Sequence, residues 1–342
     1  MRSFASDNNS TVHPKVMDAI VNVNEGHVIA YGGDSDEWPD WTTRNATKMV
    51  EQLFARKSVA LFTFNGTGSN TMALQLLTRP YHIIFTATTG HIAVDECGAP
   101  AKATGCTIRE IPTPDGKLTP ELLQSHMKNF GVEHHSQPGA IYVSQCTELG
   151  TIYTPEELTA LCDFAHKYGM KVHLDGARIA NAAVALGKSI DEVSGACGVD
   201  TMVLGGTKNG LMGAECVVVF DPSLEMEARY ARKQACQLAS KMRYLSAQFE
   251  AYLEGDLWHK CALHANEMAK ILANELSKKP YVHFTQKVES NQLFLTLPKE
   301  VSQELNKHFY FYYWNEDAGE IRLVTSHDTT EEDIAQLINC LP

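Results

Sequence analysis

The chain has 342 residues and carries 41 acidic against 29 Lys and Arg side chains, which gives a formal net charge of −12. This acidic balance argues against a nucleic-acid-binding surface and against a polybasic membrane anchor. The length exceeds one small hydrophobic core and predicts two domains that share a cleft, in an ordinary globular protein with 44% hydrophobic and 20% charged residues.

The nine cysteines are spread singly, with no Cys-x-x-Cys pair and no Cys/His cluster at the spacing of a zinc site. An odd number without a framework indicates free thiols in a reducing compartment, most of them small buried hydrophobic side chains. The N-terminus has no apolar run of signal-peptide length, and no later run is long enough to span a bilayer. We therefore expect a cytoplasmic protein with no metal site and no membrane partner.

The chain begins with a polar arm, residues 1–25. Its run Ser6-Asp7-Asn8-Asn9-Ser10-Thr11 is too polar for a core strand, and a short helix is predicted over 15–24. Tyr31-Gly32-Gly33-Asp34 is predicted as a loop. A helix over about 42–56 follows, because its apolar residues recur at helical spacing.

A strand, a glycine loop and a helix then follow one another. The apolar run 59–64 leads into Asn65-Gly66-Thr67-Gly68-Ser69-Asn70 and a helix with apolar residues from Met72 onward. This order suits phosphate binding, because backbone N–H groups point at the anion and the helix dipole favours it. The loop lacks the lysine of a P-loop and the third glycine of a dinucleotide fingerprint, so the motif alone favours a simple tight turn over a phosphate site.

From this point short apolar runs alternate with helical or turn segments. Thr154-Pro155-Glu156-Glu157 is a helix start with an N-cap, a proline at the first position and a capping-box glutamate. The alternation predicts a mostly parallel α/β sheet covered on both faces, with ligands beyond the carboxyl ends of its strands. The predicted strands are 82–86, 105–111, 139–144, 171–174, 200–204 and 215–220.

From about residue 222 the pattern changes to that of a smaller α+β domain, joined by one long predicted helix over 223–254. Further helices are predicted at 258–279 and 299–307, and strands at 281–285, 292–297 and 320–325. The predicted division is an N-terminal arm at 1–25, a large α/β domain at 26–240 and a small C-terminal domain at 241–342.

Two strand ends carry charged residues that are costly there unless they pair or do chemistry. Lys171-Val172-His173-Leu174-Asp175-Gly176-Ala177-Arg178 supplies an acid and a base three residues apart, and Gly205-Gly206-Thr207-Lys208-Asn209-Gly210 supplies one lysine among glycines. A pyridoxal phosphate enzyme needs these parts, a lysine for the cofactor aldehyde and a carboxylate for the pyridine nitrogen.

The residues also carry a resemblance to a known family. His-Leu-Asp-Gly-Ala-Arg-Ile-Ala-Asn-Ala at 173–182, Gly-Gly-Thr-Lys-Asn-Gly at 205–210, Ser-Asp-Asn at 6–8 and Glu-Ile-Arg-Leu-Val-Thr at 320–325 resemble the L-threonine aldolases. These belong to the β-eliminating lyase group of fold-type I enzymes, which use pyridoxal 5'-phosphate. The similarity runs in unchanged order from residue 6 to about 330.

The resemblance implies a role for each matching residue. Lys208 would form the Schiff base with the cofactor, and Asp175 would keep the pyridine nitrogen protonated. Arg178, at the edge of the cofactor, and Arg322 would grip the substrate carboxylate, with Ser6 adding a hydrogen bond. The alternatives are a surface position for Lys208, a helix N-cap for Asp175, and structural ion pairs for the two arginines.

Other matches concern the cofactor phosphate. Gly66, Thr67 and Gly68 would cradle it, and Arg243 resembles the basic residue that a neighbouring subunit donates. A solvated helix face is the simpler explanation of Arg243. We expect a homodimer or homotetramer with composite sites, since Arg243 and the arm make sense chiefly across an interface.

His91 matches the histidine that stacks on the pyridine ring near the substrate hydroxyl, and Glu96 matches the acid five residues later. One segment departs from the family. Where many members have Asn-Thr-His after a strand, this chain has Ser144-Gln145-Cys146-Thr147-Glu148-Leu149-Gly150. His134 and His135 lie upstream, and the role is not transferred to them.

The implied reaction is retro-aldol cleavage of L-threonine or L-allo-threonine to glycine and acetaldehyde, with other β-hydroxy-α-amino acids as further substrates. His91 is the candidate base for the hydroxyl proton, directly or through water. The alternatives are another pyridoxal phosphate lyase that catalyses β-elimination and a non-catalytic protein on the same scaffold.

Overall fold

The computed structural model describes residues 2–33, 37–128 and 130–342. Asp34, the end of the loop predicted at 31–34, lies outside these ranges, as does Met1 of the arm. The described strands are β1 (Val59–Thr63), β2 (His82–Ala87), β3 (Thr107–Ile111), β4 (Gln137–Ser144), β5 (Lys171–Asp175), β6 (Thr201–Gly205), β7 (Glu215–Val219), β8 (His283–Phe284), β9 (Gln292–Thr296), β10 (Tyr312–Asn315) and β11 (Glu320–Val324). The described α-helices are α1 (Pro14–Asn22), α2 (Trp41–Glu51), α3 (Gly66–Leu77), α4 (His91–Val94), α5 (Ala99–Thr104), α6 (Pro120–Gln124), α7 (Pro155–Lys167), α8 (Ile179–Leu186), α9 (Glu225–Gln234), α10 (Arg243–Leu253), α11 (Leu257–Ser277), α12 (Lys299–Asn306) and α13 (Glu331–Asn339).

In the described part of the chain, seven strands form the large sheet in the order β1-β7-β6-β5-β4-β2-β3. The pairs from β6 to β3 are parallel, whereas β7 runs antiparallel to both β1 and β6. β1, β6 and β7 are buried over their whole length, because helices cover both faces. The predicted mostly parallel α/β sheet is confirmed.

The two faces of the large sheet carry separate hydrophobic clusters. Ala60 and Phe62 of β1 point to one side, where α2, α7 and α10 contribute buried residues. Val59 and Leu61 point to the other side, against α3 and α9. Alternate residues of one strand therefore anchor two helix layers, and the loops at the sheet's edge are held from both sides.

The smaller sheet is antiparallel, in the order β10-β11-β9-β8, and it packs on α11 and α13. The sequence predicted this α+β part but missed β10. The N-terminal arm joins its core: Phe4 is fully buried, its N–H donates to Tyr310 O at 2.8 Å, and its carbonyl accepts from Val324 N at 2.8 Å. The arm is therefore fixed to the small sheet before it reaches the large one.

The single long helix predicted over 223–254 is wrong. The chain forms α9 and α10 with a break between them, where Cys236 has a left-handed backbone (φ 60°). In the break, Gln237 turns back so that its Oε1 accepts the N–H of Phe64 at 2.9 Å. A tertiary contact thus overrides the helical periodicity of the segment.

The helix predicted at 154–157 begins there, as α7, with both hydrogen bonds of the capping box present. α10 packs into the cluster of the large sheet through Leu245 and Phe249, whereas Met268 and Leu272 of α11 lie in the core of the small sheet. The domain boundary placed at 240/241 stays a prediction. Among the described helices, none combines the length and the apolar character that crossing a membrane requires.

Candidate active site

The carboxyl edge of the large sheet brings together the charged residues of two strand ends. Asp175 is the last residue of β5 and pairs in register with Ser144, the last residue of β4. Next to β5, β6 ends at Gly205, and Lys208 follows in a short 3-10 turn. Since parallel strands end at the same edge, the predicted acid and lysine share one site.

Asp175 is buried but surrounded by donors. Its Oδ1 accepts the N–H of Ala177 at 2.9 Å, and its Oδ2 accepts Asn70 Nδ2 at 2.8 Å and the hydroxyl of Tyr142 at 2.6 Å. Burial alone would raise the pKa of Asp175, but the nearby positive charges of His91 and Lys208 and these hydrogen bonds lower it to about 2. Asp175 is therefore a fixed, ionised carboxylate.

Asn70 is oriented from behind by His173. His173 Nε2 lies 2.9 Å from Asn70 Oδ1, and its Nδ1 lies 2.8 Å from Thr201 Oγ1. Burial lowers the pKa of His173 to about 4, so the ring is neutral and donates from one nitrogen only. Sequence reasoning missed Asn70 and Tyr142, which lie on other elements than Asp175.

His91 begins the short helix α4 and is held at two points. Its Nδ1 lies 2.7 Å from Glu96 Oε1, and its backbone N–H donates to Glu148 Oε1 at 2.7 Å. Asn70 Nδ2 bridges Glu96 Oε1, at 2.7 Å, to Asp175. One polar atom each of His91, Glu96 and Asp175 lies within 4.8 Å of the others, so the predicted pair 91/96 lies beside Asp175.

Lys208 is half-buried, and within the described residues no group forms a hydrogen bond or ion pair with its amine. Burial, and then the charge of Arg178, lowers its pKa below that of an ordinary lysine. A desolvated amine of this kind spends more time as a neutral nucleophile.

Glycines make the lysine loop possible. A Cβ on Gly205 would lie 2.6 Å from Ala177 Cα, and a Cβ on Gly206 would lie 2.8 Å from the carbonyl oxygen of Ala214. Glu215 fixes the same turn, since its Oε2 accepts the N–H of Gly206 at 2.8 Å, and burial raises the pKa of Glu215 to about 7. Glu215 was not predicted from sequence.

Arg178 follows β5 and is paired with the N-terminal arm. Its Nε donates to Asp7 Oδ2 at 2.7 Å and its Nη2 donates to Asp7 Oδ1 at 2.9 Å. Asn291 Nδ2 also donates to Asp7 Oδ2 at 3.1 Å. Burial opposes the charge of Arg178, but Asp7 raises the net pKa, so the pair is ionised.

Arg322 of β11 lies between two aromatic rings. Its guanidinium carbon is 5.3 Å from the ring centre of Tyr312 and 5.2 Å from that of Trp314. Nη2 donates to Ala5 O at 3.0 Å, and Nε has no partner among the described residues. Burial, then the charge of Arg178, lowers the pKa of Arg322 to about 10, so the two arginines are close. Ser6 caps a 3-10 turn in the same arm, where its Oγ accepts the N–H of Asn8 at 3.2 Å.

The predicted glycine loop forms the N-terminus of α3. Asn65 Oδ1 caps it by accepting the N–H of Gly68 at 2.8 Å, while the N–H groups of Gly66 and Thr67 have no partner within the described residues. A Cβ on Gly66 would meet open space, whereas a Cβ on Gly68 would lie 2.1 Å from Gln237. Two free N–H groups at an open helix end can bind an anion.

The structure does not join Arg243 to this cluster within one chain. Arg243 begins α10, and its guanidinium donates to the carbonyl oxygens of Glu25, at 2.9 Å, and Gly26, at 3.5 Å. His134 and His135 lie on an exposed segment before β4, as the sequence indicated. The 144–150 segment contributes Glu148 instead, a residue to which sequence reasoning gave no role.

Comparison with known proteins places the chain in a family. The sequence model described as beta-eliminating lyase matches residues 3–299. The low specificity L-threonine aldolase of Pseudomonas aeruginosa is 37% identical over 337 residues, which cover 98% of this chain and 96% of that protein. The protein of the same name from a Pseudomonas species is 35% identical with the same coverage. A solved Leishmania major threonine aldolase has a TM-score of 0.91 and 30% identity, over 99% of this chain and 98% of that one. The chain belongs to the beta-eliminating lyase family.

Proposed function

We propose that this protein is a lyase that cleaves L-threonine and L-allo-threonine to glycine and acetaldehyde. Relatives of nearly equal length bear the name low specificity L-threonine aldolase, which supports this substrate class. Other β-hydroxy-α-amino acids fit the same chemistry. The family uses pyridoxal phosphate, and the residues at the sheet edge fit that cofactor on three counts.

The observation that carries the proposal is the pairing of an ionised carboxylate with a desolvated amine at one sheet edge. Asp175 stays charged in the folded protein, which suits a protonated pyridine nitrogen, and Lys208 has an amine without a partner among the described residues. The third count is the open N-terminus of α3, where Gly66 and Thr67 offer N–H groups to the phosphate.

Pyridoxal phosphate, when bound, supplies an electron sink for the pair released by the broken Cα–Cβ bond. Lys208 is the residue that would hold it covalently, and His91 would cover one face of its ring. Glu96 orients His91 through the hydrogen bond to Nδ1, and Asn70 couples Glu96 to Asp175. These residues therefore fix the orientation of the His91 ring and of the cofactor ring that it would cover.

The substrate carboxylate would bind between Arg178 and Arg322. Asp7 already takes two donors of Arg178, whereas Arg322 has an unpartnered Nε among the described residues, so Arg322 contributes the larger share. Ser6 lies in the same arm and adds its hydroxyl. Fixing the carboxylate sets the scissile bond perpendicular to the cofactor ring, which is a positioning effect.

We also propose that the protein is a cytoplasmic homo-oligomer, a dimer or tetramer with composite sites. Phe64 and Met212, which flank the glycine and lysine loops, are 41% and 51% exposed. Large apolar side chains grouped near a site favour a subunit contact, where Arg243 of a second copy would reach the phosphate. All nine cysteines are free thiols, which fits a reducing compartment.

The test is a product assay on the purified protein with pyridoxal phosphate. Acetaldehyde and glycine from L-threonine and L-allo-threonine support the proposal. Pyruvate and ammonia from serine or cysteine derivatives, without acetaldehyde, would assign a β-elimination activity instead. A protein that shows no visible absorption band with added cofactor would contradict both.

A further inference from the structure

Glu148 is a carboxylate at the site to which the reaction described above gives no role. It lies in the loop after β4, and its Oε1 accepts two hydrogen bonds, from the His91 N–H at 2.7 Å and from the Ser144 hydroxyl at 2.6 Å. Within the described residues, no other residue donates a hydrogen bond to Oε2. One oxygen is therefore fixed by the protein, and the other is available to a ligand.

The exposure of Glu148 sets it apart from the acids beside it. Glu96, Asp175 and Glu215 are buried, at 3%, 5% and 6% exposure, whereas Glu148 is partly exposed. The three buried acids have structural partners for their charge. Glu96 contacts a histidine and an amide, Asp175 accepts three donors, and Glu215 accepts the N–H of a turn. Glu148 is thus the acid of this group that a substrate can contact.

His91, the other candidate acceptor for the hydroxyl proton, already has its Nδ1 engaged with Glu96 Oε1 at 2.7 Å. Burial lowers its pKa, but the hydrogen bond that Nδ1 donates to Glu96 and the charge of Asp175 outweigh burial, so the net pKa of His91 lies above its ordinary value. The raised pKa makes the cationic ring, which has no free lone pair on Nε2, more stable relative to the neutral ring. The cationic ring is suited to stacking and to donating a hydrogen bond.

We propose that Glu148 accepts the proton of the substrate's β-hydroxyl through Oε2, in place of a histidine. The proposal rests on the proposed threonine cleavage. It makes Glu148 a catalytic residue and the hydroxyl-binding group of this chain, with Ser144 and the His91 N–H holding Oε1.

The proton and electrons balance as follows. The O–H bond of the hydroxyl breaks, its proton forms a bond to Glu148 Oε2, and the electron pair left on oxygen becomes the second bond of the acetaldehyde carbonyl. The Cα–Cβ bond breaks, and its electron pair remains with the glycine fragment, which takes up a proton at Cα. Glu148 then releases its proton to solvent, and the carboxylate is restored.

The charges around Glu148 suit this step. Burial raises the pKa of Glu148, the hydrogen bonds from Ser144 and His91 oppose the rise, and the negative charge of Asp175 adds to it. Tyr142 and Tyr153 also interact with Glu148; their pKa values are raised, and they stay neutral. A carboxylate whose pKa lies closer to neutrality accepts a proton more readily.

A purely structural role is the alternative, because Glu148 also satisfies the first N–H of α4. The substitution Glu148→Gln separates the two roles. Glutamine keeps an oxygen that accepts the His91 N–H, but it cannot take up a proton. Glu157→Gln is the matched control, since Glu157 likewise accepts a backbone N–H at a helix start, at 2.9 Å, and lies outside the site.

We expect Glu148→Gln to lower kcat for L-threonine by about 100-fold or more, the typical contribution of a positioned base. The KM should change little. In the dependence of kcat on pH, the acidic limb that reports the protonation of Glu148 should disappear. Glu157→Gln should retain the wild-type rate and profile. A Glu148→Gln variant with wild-type kcat would overturn the proposal and leave Glu148 as a helix cap.

A second readout does not depend on turnover. Infrared difference spectra of wild type minus Glu148→Gln, recorded without substrate at a series of pH values, should show a protonated carboxyl band at a pH above the ordinary carboxyl range. A band that appears only within the ordinary range would count against a base at this position. If wild type shows this band but forms no acetaldehyde from threonine, the proposed function is contradicted, whereas the raised pKa of Glu148 is confirmed.

Discussion

Asp7 and Arg178 form a buried bidentate ion pair although 171 positions separate them in the sequence. The side chain of Asp7 is fully buried and that of Arg178 is 10% exposed. The pair fastens the N-terminal arm to the loop after β5 and neutralises one of the two arginines in the site. Arg178 therefore presents its remaining nitrogen to a substrate, and Arg322 keeps its full charge for the carboxylate.

The first prediction concerns this pair. Asp7→Ala leaves Arg178 buried without its counter-ion, so the free energy of unfolding should fall by about 3–5 kcal/mol. The KM for threonine should rise, because the arm that carries Ser6 is released. Denaturant unfolding of the cofactor-free protein measures the first effect, and initial rates measure the second.

The control for Asp7 is Glu275→Ala, which removes the acid of an exposed Lys278–Glu275 pair on α11. Exposed pairs of this kind contribute about 0–1 kcal/mol. Equal losses of unfolding free energy in the two variants would show that burial does not strengthen the Asp7–Arg178 pair.

Part of the site was predictable because its residues stand at strand ends. Asp175 and Lys208 each follow an apolar run, and a charge in that position needs a reason, so the sequence alone indicates a site. The partners were not predictable from local pattern. Asp7, Asn70 and Glu148 contact the site across separations of 171, 105 and 57 positions, which only the folded sheet brings together.

The break between α9 and α10 had the same cause. The segment has helical periodicity, but the contact of Gln237 with Phe64 and the close approach to Gly68 hold it in another conformation. The mostly parallel pairing was predictable because alternating apolar strands and helices permit few arrangements. The short strand β10 escaped prediction because its residues are partly exposed and have no apolar alternation.

The second prediction concerns the aromatic rings around Arg322. Trp314→Leu removes one of the two rings that face the guanidinium, at 5.2 Å. A cation–π contact contributes about 0.5–2 kcal/mol, so the KM for threonine should rise roughly 2- to 30-fold with a smaller change in kcat. Initial-rate kinetics test this, with Trp41→Leu, an exposed tryptophan on α2, as the control for lost aromatic surface. An unchanged KM in Trp314→Leu would mean that the ring does not position Arg322.

The third prediction concerns the glycine loop. Gln237→Ala removes the acceptor for the Phe64 N–H and the side chain that packs on Gly68. The loop that presents Gly66 and Thr67 should lose rigidity, so that pyridoxal phosphate dissociates about 5-fold more readily, which corresponds to the roughly 1 kcal/mol of one hydrogen bond. Titration of the cofactor-free protein, followed by its visible absorption, measures the dissociation constant. Gln336→Ala, at an exposed position of α13, is the control, and an affinity that is the same in both variants would contradict the role of Gln237.

The fourth prediction concerns Lys208. Lys208→Ala should abolish turnover and the absorption band of the covalently held cofactor, because within the described residues no second amine is known to approach Asp175. The fold should persist, since within the described residues the amine makes no hydrogen bond or ion pair. Circular dichroism and thermal unfolding check the fold. Threonine cleavage at the wild-type rate in this variant would refute the assignment of the lysine.

The last prediction concerns acid stability and follows from Asp175. Its pKa is lowered from 3.8 to about 2 in the folded protein. A group with a depressed folded pKa stabilises the protein fully above its unfolded pKa, and this contribution is lost as the pH falls through the folded pKa. The difference corresponds to about 2 kcal/mol, which should disappear between roughly pH 4 and pH 2. Asp175→Asn cannot release a proton, so its free energy of unfolding should depend less on pH in that window than the wild-type value does. Denaturant unfolding of both cofactor-free proteins at pH 5 and pH 2.5 gives the change in the free energy of unfolding with pH for each. Equal changes in the two proteins would mean that Asp175 is not held ionised by His91 and Lys208.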